Sequence, residues 1–581
     1  MKNFISKKVI VIIAISFVVV IAASFNFRSS PVIPPDNDRR GGCPVTAREF
    51  NSWFNSGSVT LNGMVKPFIS IDFPAPSHLR SDCDFFKWSE QTFLWLTSPV
   101  SPSRGNPVSK SVTDRIFDSP AFYDVSPPDA DGNRTFIPHE SGKIRVFSIR
   151  DEQVGPGKLQ VTFEKKTGRL LEIEKTPVSG KGLPMILNKA GVQTEIASIT
   201  LDNAMKPVFM DKNGKVIQNP RPLIRKRQDT KSIVHKFMIG EKSVFLDTEG
   251  NNIEVEEGQA DGGVLMSQNN SLVYYSISVN QTYAYFLTGV KNGSLEDGNG
   301  STKFFPAFAG STIVEYAAAH GKTIRYPEAA TIEIKCSWVE AASLPDASKY
   351  IKMKATIPGY NKFATQWTPN GQKTVELAMV GMHIVGRVKW WPDMLWATFE
   401  HINNTPNAAY SYINYLSLNN NPFITVPQNT SGSWTFCADG STRGFNASRM
   451  HAEGNKIVAN PGSTIGPSNI IRWKPWGSAG NDAGTNTDLK TLNNSVMNML
   501  MDGDVRKNYI QIGTTWKEGE EPNLQDKGST RLANSTMETY MQGTNNSAAT
   551  GTTCFSCHTG NASDKLNYSH IYYSIKPLFN N

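Results

Sequence analysis

The sequence predicts an α+β protein that is mainly β: a sandwich- or barrel-like β body with peripheral helices and a small C-terminal segment of different character. Three observations predict it. Between about 140 and 430, short segments rich in β-branched and aromatic residues recur, separated by Asp, Asn and Gly turn signals. Helical patterns are few and mostly flank these runs. Near the end, "GTTCFSCHTG" (551–560) carries a spacing that belongs to neither strand nor helix.

The chain begins "MKNFISKKVIVIIAISFVVVIAASFNF", a basic start followed by an apolar run from Val9 to Ala23. The run is short for a bilayer span, which needs about 20 residues, and suits an export signal. Residues 1–24 are therefore expected to be a signal peptide or an uncleaved membrane anchor. Small residues at Ala22 and Ser24 suit cleavage, and 25–42 reads as a Pro-rich tether. On this reading the body is exported to the periplasm, and any membrane contact is through the N-terminal segment alone.

Region 43–139 is helical and loop-like. "CPVTAREFNSWF" (43–54) and "SDCDFFKWSEQTFLWLTSP" (81–99) read as helices, the second capped by Ser81 or Asp82 and stopped by Pro99. A first β-rich region (140–300) contains "KIRVFSIRD", "KLQVTFEKK", "SIVHKFMIG", "SVFLDTEGNNIEV" and "SLVYYSISVN". Within it, "VFMDKNGKVI" (208–217) and "VFLDTEGNNI" (244–253) read as hairpins with D-x-x-G turns, because Asp and Gly suit those backbone angles. Neither continues into a calcium-loop ligand series. After the helix "STIVEYAAAHGK" (311–322), a second β-rich region (301–430) holds "ATIEIKCSWVEA", "YIKMKATIPGY", "TVELAMVGMHIVGRV" and "MLWATFEHINN". Region 431–581 is rich in Asn, Gly, Ser and Thr, with helices expected at 488–502 and 531–543. Its part from about 488 onward is the terminal segment.

Composition narrows the function classes. Hydrophobic residues are 39% and charged residues 19%, ordinary for a soluble globular chain. The net charge is +8, of which Lys2, Lys7 and Lys8 supply three. That is too mild a balance for nucleic acid, and "RPLIRKRQ" (221–228) reads as a solvated turn. Of six cysteines, two belong to the terminal motif. The other four allow three pairings in an oxidising compartment, and Cys43–Cys83 with Cys336–Cys437 is preferred.

The terminal motif is Cys554-Phe555-Ser556-Cys557-His558. With six Cys and nine His in 581 residues, a chance C-x-x-C-H has a probability of roughly one in a thousand. Two thiols three residues apart can add to the two vinyl groups on one porphyrin edge, and the adjacent His then reaches the iron. A structural zinc would need two more ligands at matching spacing. One covalent haem c is the expected cofactor, with His558 as proximal ligand. No Met follows His558, so the second ligand must be His570 or lie upstream. Met541 or Met537 ranks first, His570 second, and an open or water-bound iron third. Met497, Met499 and Met501 are further upstream thioethers whose default role is packing.

"YIQIGTTW…LANSTMETYMQ…CFSCH", "VGMHIV…MLWATFEHINNTP" and "EGQADGGVLMSQNNSLVYY" together resemble the large exported single-haem cytochrome c family proteins of Gram-negative bacteria. The resemblance is scattered from about residue 80 to the C-terminus. It implies an exported haem c protein with His558 as proximal ligand, and it names no substrate. Cys554, Cys557 and His558 carry over from it.

Two further groups deserve placement. His383, His401 and a carboxylate such as Glu400 could hold a metal across a hairpin. Strand alternation, however, puts Glu400 and His401 on opposite faces, and packed histidines are the default. Trp390, Trp391 and Trp396 could form a carbohydrate or electron-hopping surface, with core packing the default. Three functions follow. The first is electron transfer with an exported redox partner. The second is a haem-dependent oxidoreductase whose β body binds a small-molecule substrate. The third is a β-rich module, for instance glycan-binding, with an accessory haem. No catalytic triad or nucleotide loop is present to propose others.

Overall fold

In the computed structural model, the described residues are Val32–Pro34 and most of 41–579, the longest gaps being 75–80, 101–114, 150–158, 224–231, 256–262, 416–421, 439–445 and 541–553. The leader, most of the tether, Met541 and His570 therefore lie outside the described residues. The chain is mainly β, with 35% strand and 19% helix. Among the described residues, no helix is long and apolar enough to cross a membrane.

One large antiparallel sheet organises the molecule. Eight of its twelve strands form one path: β1 (Phe122–Val125), β2 (Phe136–Pro138), β3 (Tyr274–Asn280), β4 (Thr331–Glu340), β5 (Gln366–Arg387), β6 (Leu395–His401), β7 (Tyr509–Glu518) and β8 (Gln525–Gly528). Their spatial order is β2-β1-β3-β4-β5-β6-β7-β8. The order is open at both ends, so the body does not close into a barrel. The long β5 also forms a hairpin with Lys352–Lys362. A separate five-stranded sheet covers Val161–Phe163 to Asn252–Ile253, with its own small clusters around Phe237 and Val234. The boundary expected at 300 runs between β3 and β4, which pair directly, as in Tyr275 opposite Ser337. The two D-x-x-G turns are Asx turns: Asp211 Oδ1 accepts from the Asn213 and Lys215 amides, and Asp247 Oδ1 from those of Glu249 and Asn251.

The helices sit where their caps predict. α1 (Ala47–Trp53) and α2 (Asp82–Leu96) come first, and Ser81 and Asp84 form a capping box for α2. The Cys43–Cys83 disulfide joins their N-termini, closing a loop of 40 residues. By loop-closure entropy such a bridge contributes about 4 kcal/mol. α2 covers one face of the sheet, with Phe93 stacked on Phe399 (4.3 Å between ring centres) and Phe85 on Trp516 (4.0 Å). The Cys336–Cys437 pairing does not form: both are buried thiols. Cys336 is fixed in β4 between Ser276 of β3 and Met382 of β5. Cys437 is on a loop bonded elsewhere, to the 403–404 backbone through Thr435 and Phe436.

Three further helices are α3 (Gln281–Lys291), α4 (Ser311–Ala319) and α5 (Ala483–Met499). α5 begins earlier than 488 because Asp482 caps it, accepting from Gly484 and Thr485. Met497 and Met499 pack against the main core, while Met501, just beyond α5, is exposed. The helix expected at 531–543 is instead a run of turns through Tyr540. Its hydroxyls and amides are engaged by the sheet, which disfavours a helix.

Candidate haem site

Strand alternation sorts the second face of the sheet. Trp396, Thr398 and Glu400 of β6 point one way, while Ala397, Phe399 and His401 point into the main core. Register adds Val385, His383 and Gly381 of β5 to the first set, then Glu333 and Lys335 of β4. Two C-terminal segments lie on this face, one at each end.

At one end lies Asn534–Tyr540. Asn534 donates to the Phe399 carbonyl (3.1 Å), and Thr536 meets Ser337 (2.7 Å). Gly381 is required here, because a Cβ would stand 2.7 Å from both Ser337 and Thr536 hydroxyls. The Ser535 amide donates to Glu400 Oε1 (2.7 Å), whose other oxygen pairs with Arg472 at 2.6 Å, both side chains fully buried. Glu538 meets His383 Nε2 (2.9 Å), and Thr398 meets His383 Nδ1. Burial would raise the Glu538 carboxyl, but His383 beside it holds it below the usual range. Met537 is buried among Tyr275, Val380 and Phe436, a cluster separate from that of Phe555.

At the other end lies the motif. Cys554–Cys557 forms one helical turn, α6, and the His558 amide donates to the Cys554 carbonyl (2.8 Å). One turn sets positions 554 and 557 on the same side, as bridging two points of one ring edge requires. His558 Nδ1 lies 2.8 Å from the Tyr568 carbonyl oxygen. A carbonyl only accepts, so Nδ1 carries a proton, and the neutral ring then has its lone pair on Nε2. The imidazole packs against the Trp396 indole, with ring centres 4.1 Å apart and planes at 46°. Phe555 is buried edge-on to Trp396 and Tyr568.

The seat of this segment is built from distant strands and helices. Tyr568 ends the short turn Lys565–Tyr568, capped by Asp564. Lys565 forms a buried ion pair with Asp393, on the loop between β5 and β6, at 3.0 Å. Ser569 donates to Glu333 of β4 (2.9 Å) and meets the Tyr283 hydroxyl of α3. Further on, the Arg134 amide donates to the Ser574 carbonyl (2.8 Å) and the Lys576 amide to that of Arg134 (2.8 Å).

The other sequence candidates separate. Glu400 and His401 do lie on opposite faces. His401 is stacked on Tyr350 (3.6 Å), accepts from the Asn403 amide and faces the Lys349 carbonyl. Burial pushes its pKa down to about 3, so it is a neutral packed histidine. His383 and His401 are therefore not brought to one metal. Of the three tryptophans, Trp391 is buried with its N–H on the Lys517 carbonyl (3.1 Å), Trp390 is exposed, and Trp396 meets the motif. Trp396 was legible only as one of three candidate tryptophans, and Tyr568 was not legible at all. Tyr568 acts through its backbone, and Trp396 comes from a strand remote in sequence.

The residues present fit a haem c. The motif is a single turn, the histidine tautomer leaves the lone pair on Nε2, and the buried Trp396 Nε1 beside it has no hydrogen-bond partner among the described residues. The chain was also compared with known proteins: no family model, no curated protein and no solved structure matches it.

Proposed function

We propose that the chain is an exported c-type cytochrome with one haem c on Cys554, Cys557 and His558, and that it transfers single electrons in the periplasm to or from an exported redox partner. The observation that carries this reading is the His558 Nδ1 contact to the Tyr568 carbonyl within a C-x-x-C-H turn. Metal-binding histidines characteristically give their other ring N–H to such an acceptor, which fixes the ring and raises its basicity. The bound group would supply a reversible one-electron couple. The chain's own part is to orient His558, through Tyr568 and Trp396, and to shield that side with Phe555. Burial of Met537 in another cluster favours Met541 or His570 as the second ligand.

The test is a haem stain on a denaturing gel. The wild-type band should stain, and Cys554→Ala with Cys557→Ala should abolish the stain; a stain that survives both substitutions defeats the reading. The oxidoreductase alternative is separated by spectrum. A six-coordinate low-spin iron that ignores carbon monoxide supports transfer, and a five-coordinate high-spin iron supports catalysis.

A further inference from the structure

The long hairpin that β5 forms with Lys352–Lys362 is not regular. Pro358 stands opposite Gln372 and Tyr360 opposite Pro369, so Asn370 and Gly371 together face the single residue Gly359. Such a bulge resets the alternation of side chains and re-aims those beyond it. Asn370 and Gln372 thereby line, with Tyr360 and Trp367, a groove of about 250 Å³ between the hairpin, the start of β3 and the end of β4. Gly359 is required here, because a Cβ would stand 2.6 Å from the Asn370 carbonyl oxygen.

The groove has an aromatic floor and a polar rim. Tyr274 and Trp367 are buried, and Tyr360 is half-buried, its ring centre 6.1 Å from that of Trp367. Burial, with Glu340 and Tyr360 beside it, pushes the Tyr274 hydroxyl well above its usual pKa, so it keeps its proton. At the rim, Asn270, Asn370 and Gln372 are exposed amides, each with donors and an acceptor. Asn370 Nδ2 donates to Asn361 Oδ1 (2.9 Å), which holds that amide in place. Charge at the rim is uneven. Glu340 is neutralised by Lys373 at 2.6 Å. Lys362 has its Nζ 4.4 Å from the Trp367 ring centre and no carboxylate partner among the described residues.

Aromatic rings, neutral amides and one unbalanced cation suit a sugar better than an apolar ligand. The C–H face of a sugar ring packs on an aromatic face, and its hydroxyls each donate and accept, as side-chain amides do. A cation at the rim adds attraction for a carboxylate. We propose that this groove binds a glycan bearing uronic acid units, with one ring against Tyr360, hydroxyls on Asn370 and Gln372, and the carboxylate toward Lys362. The groove is smaller than the sites of drug-sized ligands, from about 300 Å³ up, and suits one ring of a longer chain. None of Trp390, Trp391 and Trp396 lines it. It shares no residue with the motif segment, so the assignment stands apart from the cytochrome reading.

The test is isothermal titration of the full chain with two probes, an oligogalacturonate and the corresponding neutral oligogalactose. The wild type should bind the oligogalacturonate saturably, and the neutral probe about tenfold more weakly or not at all. Tyr360→Ala, Gln372→Ala and Lys362→Gln should each weaken oligogalacturonate binding about tenfold, and Tyr360→Phe should keep most of it. The side chains of Gln372 and Lys362 are exposed, so their variants should unfold at the wild-type temperature, and a loss there reports binding rather than folding. No binding of either probe overturns the proposal, as does binding that survives all three substitutions. Equal binding of the two probes overturns the pairing of Lys362 with a carboxylate, and the acidic glycan with it.

Discussion

The two C-terminal segments on the second face of the sheet differ in how completely they are satisfied. None of the buried side-chain polar atoms of Asn534–Tyr540 lacks a partner. Its amides and hydroxyls meet Glu400, Ser337 and the Phe399 carbonyl, and Glu400 in turn holds Arg472. The motif segment is fixed just as firmly at its rim by Lys565–Asp393 and Ser569–Glu333, while the Trp396 N–H beside it has no hydrogen-bond partner among the described residues. One end closes on the Glu400–Arg472 network, and the other closes on the C-x-x-C-H turn.

The largest effect should come from breaking the Glu400–Arg472 end. Arg472→Met strands a fully buried carboxylate at Glu400, and thermal or urea unfolding should show a loss of about 3–5 kcal/mol. Adding Glu400→Gln should recover much of it. Recovery of nothing would mean that the pair's value lies elsewhere.

The next effect concerns the opposite face, where burial raises the Glu90 carboxyl to about 8. The folded form keeps Glu90 neutral while the unfolded chain ionises it. Stability is therefore lost as pH rises from about 4.5 to about 8, at a limiting slope of about 1.4 kcal/mol per unit. Glu90→Gln should flatten that slope and stabilise the fold at pH 8, on the order of 2 kcal/mol. Identical unfolding-versus-pH curves for the two proteins would count against a buried neutral Glu90.

Smaller changes compare the segments directly. Ser535→Ala removes a hydroxyl from Glu400 while keeping the amide contact, and should cost about 1.5 kcal/mol in global unfolding. Ser569→Ala loosens the motif segment from β4 and should cost about 1 kcal/mol. Its signature should be faster amide exchange around 565–575, with the 534–540 region unchanged. Equal exchange in both regions would erase the distinction drawn between them.

Legibility in the sequence followed the same division. Half-buried strands such as Lys352–Lys362 show their alternation, and α2 announces itself by its capping box. β7 does not. Its first eight residues are all buried, so Gln511, Thr514 and Thr515 break the pattern while serving internal bonds. α3 was hidden likewise, because Gln281–Gly289 are all buried and leave no polar stripe. The 531–543 stretch has a helical spacing of Met537 and Met541, but tertiary bonds to Asn534, Ser535 and Thr536 took precedence. At the site, covalent chemistry imposes a local spacing, so Cys554, Cys557 and His558 stand out. Tyr568 has no local signature, since a short turn brings its carbonyl there, and Trp396 stood out only as one of three tryptophans, its place against His558 being set by strand register.

The motif segment is pinned on both flanks, by Asn534–Tyr540 before it and by the Ser574–Lys576 contacts with Arg134 after it. Pinned ends turn the docking of His558 against Trp396 into a short-range search, with an effective concentration set by the span between the anchors. A freely hanging tail would sample that contact far less often. The body thus acts as a mould, built from earlier strands, onto which the motif segment can close.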